Sequence, residues 1–318
     1  MNLEKIYKRI AESKYHSTNG VVIHDSKKPG PTLGITICTH GNEPSGLYVV
    51  DFLEAYFKKY SLIKGKIIIV LNNLEATKKY LKLRYEDKIE DIQTLSTQSR
   101  FVDVNMNRLP ADTMDEKTTS INEINRSREL SPLWNLFDVA LDIHSTSQES
   151  PPMIIATKRY DHSLVSGFPI EIIISNIENI QIGKPAFSFY GSKDKKISSF
   201  AIESGSHNSE QSYACATACV RALLSSLQII SDRAQISNPV KQKEFYVINS
   251  VLFPDRSYEL VRIFENFTKI EKGELVAKSS NSLPDIRSPE SGLVLFAPIG
   301  TVPYNYAEEV FFITDIPK

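Results

Sequence analysis

The chain has 318 residues, of which 41% are hydrophobic and 24% are charged. Its 37 Lys and Arg residues balance 38 Asp and Glu residues, which disfavours nucleic acid or a membrane surface as a partner. No apolar run reaches the ~18 residues of a membrane span. The length is sufficient for a large core and favours two domains. Residues 1–10 look like a short amphipathic helix without a signal-peptide core, so we expect a cytoplasmic protein.

Strands alternate with helices in the first part of the chain. Runs rich in Ile and Val predict strands over 21–24, 33–38 and 66–71. Apolar residues at helical spacing predict a helix over 45–60, so residues 33–71 form a β-α-β unit and a mostly parallel sheet. Later elements are helical fragments over 75–97, a loop over 109–122, strands over 152–157, 171–175 and 198–202, and helices over 122–137 and 209–233. Pro132 predicts a break or a new start within 122–137.

After residue 235, short strand-like runs follow one another without long helices. They cover 244–252, 258–264, 274–277, 292–296 and 309–313. We therefore predict an α/β domain over residues 1–238, with a mixed, mostly parallel sheet flanked by helices. A small all-β barrel or sandwich domain over 239–318 follows it.

A candidate metal site begins with His-Gly-Asn-Glu at residues 40–43, directly behind the apolar run 33–39. His40 and Glu43 are suited to zinc, and an open zinc site usually has three protein ligands and a water. His144 is a candidate third ligand, and Glu203 offers a fourth group at the end of another strand-like run. A lone His after a strand is more often an ordinary core or loop residue. Here three such groups point to the same rim of the sheet, where ligands bind in open α/β folds.

The cysteines give no comparable set. Cys38 precedes His40 in a predicted strand and is expected to be a buried apolar residue. Cys215 and Cys219 share one face of a predicted helix, but no nearby His or Cys completes a metal site. We therefore assign them to core packing.

A second constellation lies between the first two metal motifs, in the segment from Arg100 to Arg108. An Arg beside a zinc site can polarise a carbonyl or hold an oxyanion, and an Arg with an adjacent Asn can clamp a carboxylate. The alternative is a surface turn in which Asp103 pairs with an Arg. Next to His40, Glu43 and His144, the functional interpretation is preferred.

Together these segments resemble the succinylglutamate desuccinylase/aspartoacylase family, relatives of the zinc carboxypeptidases. The matching motifs are His-Gly-Asn-Glu at 40–43, Arg100 with Asn-Arg at 107–108, Asp-Ile-His at 142–144 and Ile-Glu-Ser-Gly at 202–205. Their order and spacing agree with the family across most of 33–205. The resemblance implies one zinc ion per chain, bound by His40, Glu43 and His144. It also implies that Glu203 is the general base and acid, that Arg100 polarises the scissile carbonyl, and that Asn107 and Arg108 bind a substrate carboxylate.

The C-terminal region extends this resemblance. In aspartoacylases a Tyr from the β-rich appendage reaches the site, and Tyr304 fits this role best, with Tyr306 as the alternative and a structural role nearly as plausible for either. Two positions depart from the family pattern. Asn105 stands where Asp is common, and Lys193 is the nearest substitute for a substrate-binding Arg that usually precedes the catalytic Glu.

The family resemblance implies hydrolysis of a small N-acyl amino acid, with a zinc-bound water as the nucleophile. A metallocarboxypeptidase would use the same metal ligands, and kinetics on blocked dipeptides would distinguish it. A catalytically inactive zinc-dependent binding protein is the third possibility, although both Glu203 and Arg100 are present. A homo-oligomer is compatible with the sequence.

Overall fold

The fold is given by a computed structural model that describes residues 2–115, 119–191, 197–207, 209–231, 240–303 and 308–317. The helices of these residues are α1 (Leu3–Glu12), α2 (Ser45–Phe57), α3 (Leu74–Leu81), α4 (Ile92–Ser99), α5 (Asn122–Trp134), α6 (His162–Val165), α7 (Ile177–Ile180) and α8 (Glu210–Ser226). A π-helical turn, Lys82–Glu86, follows α3, and a 3-10 turn covers Ala186–Phe189.

The strands form one large sheet and two small ones. They are β1 (Lys14–Tyr15), β2 (Thr18–Asn19), β3 (Val21–Asp25), β4 (Thr32–Ile37), β5 (Lys66–Leu71), β6 (Val139–Thr146), β7 (Met153–Ala156), β8 (Ile172–Ser175), β9 (Ser198–Ser206), β10 (Lys243–Leu252), β11 (Tyr258–Leu260), β12 (Lys269–Ile270), β13 (Leu275–Ser279), β14 (Ile286–Arg287), β15 (Gly292–Leu295) and β16 (Glu309–Thr314). The large sheet has the order β12-β15-β16-β10-β8-β7-β9-β6-β4-β5-β3.

The centre of the large sheet is parallel, as predicted. Strand β4 pairs in parallel with β5 and β6, and β6 pairs in parallel with β9. Strand β5 shows why helices cover both faces. Ile67 and Ile69 belong to the core under α1, α2 and α8, whereas Ile68 and Val70 belong to the core under α5. A strand buried on both faces reads as a continuous apolar run.

The C-terminal strands enclose a third hydrophobic core. Strands β10, β16, β15 and β12 extend the large sheet, and β11, β13 and β14 form a separate antiparallel sheet. Residues of both layers, including Val251, Val276 and Phe311, share this core. Strand β10 also pairs with β8, so the C-terminal strands continue the sheet of the preceding part. The domain boundary at 238/239 lies outside the described residues and stays a prediction.

Four predicted elements differ clearly from the structure, and one of them is the strand expected over 258–264, which ends at Leu260. The break at Pro132 is wrong, because α5 continues to Trp134. Proline near the end of a helix removes only one backbone hydrogen bond, and packing of the neighbouring Trp134 offsets that loss. The helix expected over 209–233 ends at Ser226, and the strand expected over 198–202 extends to Ser206. None of the helices of the described residues combines the length and apolar character needed to cross a membrane.

Candidate active site

The His40–Glu43 turn follows β4 and is held against two helices. Its tight fit depends on Gly41, because a Cβ there would lie 2.3 Å from the carbonyl carbon of Ala76 in α3. The Gly41 N–H donates to the Arg100 carbonyl over 2.9 Å, which joins the turn to the end of α4. A small residue is required at this close approach. The turn therefore brings the first motif and Arg100 together, although they are far apart in sequence.

The three candidate metal ligands, His40, Glu43 and His144, meet at this turn. Glu43 Oε1 lies 2.7 Å from His40 Nδ1, and Glu43 Oε2 lies 2.7 Å from His144 Nδ1. The candidate ligand atoms of the three residues all lie within 4.8 Å of one another, and all three residues are buried. Imidazole and carboxylate groups in this arrangement match the ligand types and number of an open zinc site.

Electrostatics of the triad favours a cation between its members. Burial opposes ionisation of Glu43 and by itself would raise its pKa, but the imidazoles of His40 and His144 outweigh burial and hold the pKa well below its usual range. Burial also acts against the charged form of His144, yet Asp142 and Glu43 outweigh it and raise the pKa of that ring. The pKa of His40 is lowered, first by burial and then by Arg100.

The surroundings of His40 test whether a divalent cation fits. Its Nδ1 faces the Glu43 carboxylate and its Nε2 faces Asn105 Oδ1 at 2.9 Å, so both ring nitrogens face acceptors. A neutral ring carries one proton and satisfies only one of them. A cation bound at Nδ1 would supply the missing positive charge, and Nε2–H would still donate to Asn105. The residues therefore fit a zinc ion.

Glu203 lies beside His144 through strand register. The two residues are directly paired between the parallel strands β6 and β9, which places both side chains at the same level of the sheet. Both line one cavity, together with His40 and Glu43. Among the described residues no group hydrogen-bonds to Glu203 Oε2, and burial raises the pKa of this carboxyl to about 8. A carboxyl group with a pKa near the operating pH is suited to proton transfer.

The Arg100–Arg108 segment is held by a buried carboxylate that the sequence analysis did not assign. Glu123 in α5 is fully buried and accepts hydrogen bonds from the backbone N–H groups of Val102, Asp103 and Val104 over 2.6, 3.0 and 3.2 Å. Asn73 also donates to it over 3.0 Å. Glu123 thus fixes the backbone between the two arginines. No periodicity marks such a contact in the sequence.

Arg100 reaches one of the candidate metal ligands, whereas Arg108 faces a different carboxylate. Arg100 Nη1 lies 3.1 Å from Glu43 Oε1. Arg108 Nε donates over 2.8 Å to Glu309 Oε2 in β16, and the Glu309 side chain has no exposed surface. Asn107 Nδ2 is 3.4 Å from His144 Nε2, so Asn107 also lines the site. The alternative surface turn is absent from the described residues, because the Asp103 carboxylate accepts the Asn122 N–H rather than pairing with an Arg.

Comparison with protein families identifies this arrangement. Residues 29–210, more than half of the chain, match the model of the succinylglutamate desuccinylase/aspartoacylase catalytic domain. The chain belongs to this family. The match contains all four motifs that carried the resemblance. No curated protein sequence matches the chain.

Solved structures of the succinylglutamate desuccinylase/aspartoacylase family share the fold. Succinylglutamate desuccinylase from Vibrio cholerae has a TM-score of 0.63 at 17% identity, over 93% of this chain and 85% of that chain. The ectoine utilization protein EutE (DoeB) from Ruegeria pomeroyi gives 0.61 at 17% identity, over 96% and 93%. Murine aminoacylase 3 gives 0.61 at 18% identity, over 92% and 97%. These similarities extend beyond the matched domain to the C-terminal strands.

Two polar residues behind the family motifs were not assigned from sequence. Asp142 is fully buried, and its Oδ2 lies 3.0 Å from His144 Nε2. This contact is an ion pair in which the Asp142 carboxylate raises the pKa of the His144 ring. The signal was available, because residues 142 and 144 project from the same face of a strand.

His207 is the second unassigned residue. Burial lowers its pKa to about 4, so the ring is neutral. The Asn42 amide donates to Nε2 over 3.1 Å, which leaves the proton on Nδ1, 2.8 Å from Ser145 Oγ. His207 therefore joins the residue after His144 to the residue before Glu43. Tyr304, Tyr306 and Lys193, by contrast, lie outside the described residues, and their roles stay predictions.

Proposed function

We propose that the protein is a zinc-dependent amidohydrolase that removes the acyl group from a small N-acyl amino acid. Membership of a family of acyl-amino-acid hydrolases supports this proposal. The observation that carries it is the convergence of His40, Glu43 and His144 on the cavity lined by Glu203. A bound zinc ion would supply positive charge that polarises a carbonyl group and acidifies water.

The side chains that line the cavity are assigned to proton transfer, charge stabilisation and substrate binding. Glu203 takes a proton from the attacking water and returns it to the leaving nitrogen, since its Oε2 accepts no hydrogen bond from the described residues. Arg100, which lies beside Glu43, stabilises the negative charge that develops on the carbonyl oxygen. Asn107 and Arg108, which also line the cavity, orient the substrate carboxylate.

A hydrolysis screen tests the function. Zinc-loaded protein is incubated with N-formyl, N-acetyl and N-succinyl amino acids and, in parallel, with blocked dipeptides. We expect release of a free amino acid from at least one acyl class and loss of release after zinc is removed with a chelator. Cleavage of dipeptides alone would replace the proposal with a carboxypeptidase activity. No cleavage by zinc-loaded protein would contradict a hydrolytic function.

A matched pair of variants separates chemistry from folding. Glu203→Gln removes the proposed base, and Glu259→Gln makes the same change at an exposed position of β11. Both are expected to bind zinc, but only Glu203→Gln is expected to lose turnover. Equal activity in the two variants would contradict the assignment of Glu203.

A further inference from the structure

Arg108 meets a carboxylate of the protein itself. Glu309 Oε2 accepts from Arg108 Nε over 2.8 Å, and Glu309 Oε1 accepts from the backbone N–H of Ile182. Both carboxylate oxygens are therefore engaged, and the side chain is completely buried. Displacing Glu309 from Arg108 would leave a buried charge without its partner, which is strongly unfavourable. A ligand carboxylate would not readily take its place.

The remaining nitrogens of Arg108 are only partly available. Nη1 donates to the Asn107 carbonyl over 2.8 Å and lies 3.5 Å from Gln181 Oε1. A guanidinium group binds a carboxylate bidentately through Nε with Nη2, or through Nη1 with Nη2. Glu309 occupies the first edge, and Asn107 occupies part of the second. Arg108 therefore offers one nitrogen, Nη2, and its charge is already balanced by Glu309.

The rest of the cavity provides little further positive charge. Among the described lining residues the cationic side chains are Arg100 and Arg108, and the acidic ones are Glu43, Glu203, Glu308 and Glu309. Both arginines are paired with one of these glutamates. The apolar part of the wall includes Ile155, Ile177, Phe187, Phe296 and Phe312. Nη2 of Arg108 can bind one substrate carboxylate, but a second carboxylate would face apolar or acidic groups among the described lining residues.

We propose that Glu309 is a specificity-determining residue: it occupies Arg108 and selects N-acyl amino acids that carry a single carboxylate. Substrates with an acidic acyl group, such as succinyl, or with an acidic amino acid are then disfavoured. This inference rests on the proposed amidohydrolase function and specifies its substrate class. The selection is largely repulsive, because the described residues of the cavity do not compensate the desolvation of a second carboxylate.

Two acyl groups of similar size test whether the cavity selects against a second carboxylate. N-butyryl and N-succinyl derivatives of the same neutral amino acid differ in a terminal methyl or carboxylate group. For the zinc-loaded wild-type protein we expect kcat/KM to favour the butyryl compound by about tenfold or more, the effect of one uncompensated charge. A preference for the succinyl compound would overturn the proposal. This conclusion would hold even if the substitution Lys193→Ala abolished that preference.

The role of Glu309 is tested separately. Glu309→Gln removes the competing charge. We expect it to reduce the ratio of kcat/KM for the butyryl compound to kcat/KM for the succinyl compound by about tenfold. Glu274→Gln is the matched control, because it disrupts an Arg–Glu pair with Arg262 that is remote from the cavity. The control should leave the ratio unchanged. An unchanged ratio in folded Glu309→Gln protein, checked by its melting temperature, would contradict the role of Glu309.

Binding distinguishes failure of the inference from failure of the function. Butyrate and succinate are titrated calorimetrically against zinc-loaded wild-type protein, which requires no turnover. Succinate is expected to bind no more tightly than butyrate. If this order holds but no acyl amino acid is cleaved, the charge selection stands and the proposed function fails. If acyl amino acids are cleaved but succinate binds about tenfold more tightly, the function stands and the inference fails.

Discussion

His40 Nε2 lies 2.9 Å from the side-chain oxygen Oδ1 of Asn105. At position 105 the family commonly has Asp. Two further bonds fix the orientation of the Asn105 amide. Its Oδ1 accepts the Asn107 N–H over 2.8 Å, and its Nδ2 donates to Glu308 Oε2 over 2.8 Å. The amide therefore does what a carboxylate cannot do here, because an Asp would place a second negative charge against Glu308. Asn105 orients a candidate metal ligand and, through Glu308, anchors the C-terminal residues to the site.

Replacing Asn105 tests this orienting role. Asn105→Leu keeps the side-chain size but removes all three hydrogen bonds of the amide, so we expect zinc affinity to fall by about 10- to 100-fold, the range for groups that orient a metal-ligating His. Competition with a chelating indicator measures the affinity. Asn125→Leu is a control that makes the same change at an exposed position of α5. Unchanged zinc affinity in Asn105→Leu would show that His40 is oriented by other contacts.

Two measurements test the proposed role of Glu203 as the general base. Glu203→Gln should reduce kcat by about 10²- to 10⁴-fold, the range for loss of a general acid or base. Zinc content should remain at one ion per chain, because Glu203 is not among the three proposed ligands. Elemental analysis and steady-state kinetics measure the two quantities. Full activity, or loss of zinc, would each contradict the proposed role.

Zinc affinity should increase with pH. Asp142 and Glu43 outweigh burial and raise the pKa of His144, so the metal-free ring retains a proton at neutral pH. Zinc must displace this proton, and its affinity therefore rises until the pH exceeds the pKa of His144. Calorimetry in two buffers with different ionisation enthalpies measures the released protons. Absence of proton release near pH 7 would contradict a protonated His144.

The same ring makes the stability of the metal-free protein depend on pH. The pKa of His144 is higher in the folded than in the unfolded state, so its contribution is fully present below the unfolded value of about 6.5. The contribution is lost as pH rises through the folded-state pKa. Melting of the metal-free protein should therefore occur at lower temperature above neutral pH. In Asp142→Asn this dependence should weaken, because one of the two carboxylates that hold the proton has lost its charge.

Glu123 should be important for both stability and activity. Glu123→Gln keeps its size but places an amide donor among backbone donors, and each buried donor left without an acceptor costs about 1–3 kcal/mol. We expect a loss of about this size in the free energy of unfolding, measured with urea. Turnover should also fall, because the backbone next to Arg100 loses its anchor. Glu259→Gln again serves as an exposed control; equal stability of the two variants would contradict the role of Glu123.

Local sequence signals predicted much of the fold and of the site. The apolar runs at β4 and β5, with helix α2 between them, predicted a β-α-β unit and therefore a mostly parallel sheet. Strand ends then predicted that the ligands share one rim. Elements of two residues, such as β12 and β14, were missed, because two residues contain no periodicity. The break at Pro132 was wrong, because packing outweighed the local preference.

The sequence alone determined the residue types and order of the candidate site: His40, Glu43, Arg100, His144 and Glu203. The tertiary structure decided how other charges act on them. Glu123 and Glu309 meet their partners only through packing between segments that lie 21 and 201 residues apart in the chain. Interactions between charges depend on distance and burial, which no local pattern encodes. For this reason the motifs predicted the chemistry of the site, whereas the ion pair between Arg108 and Glu309 is seen only in the folded chain.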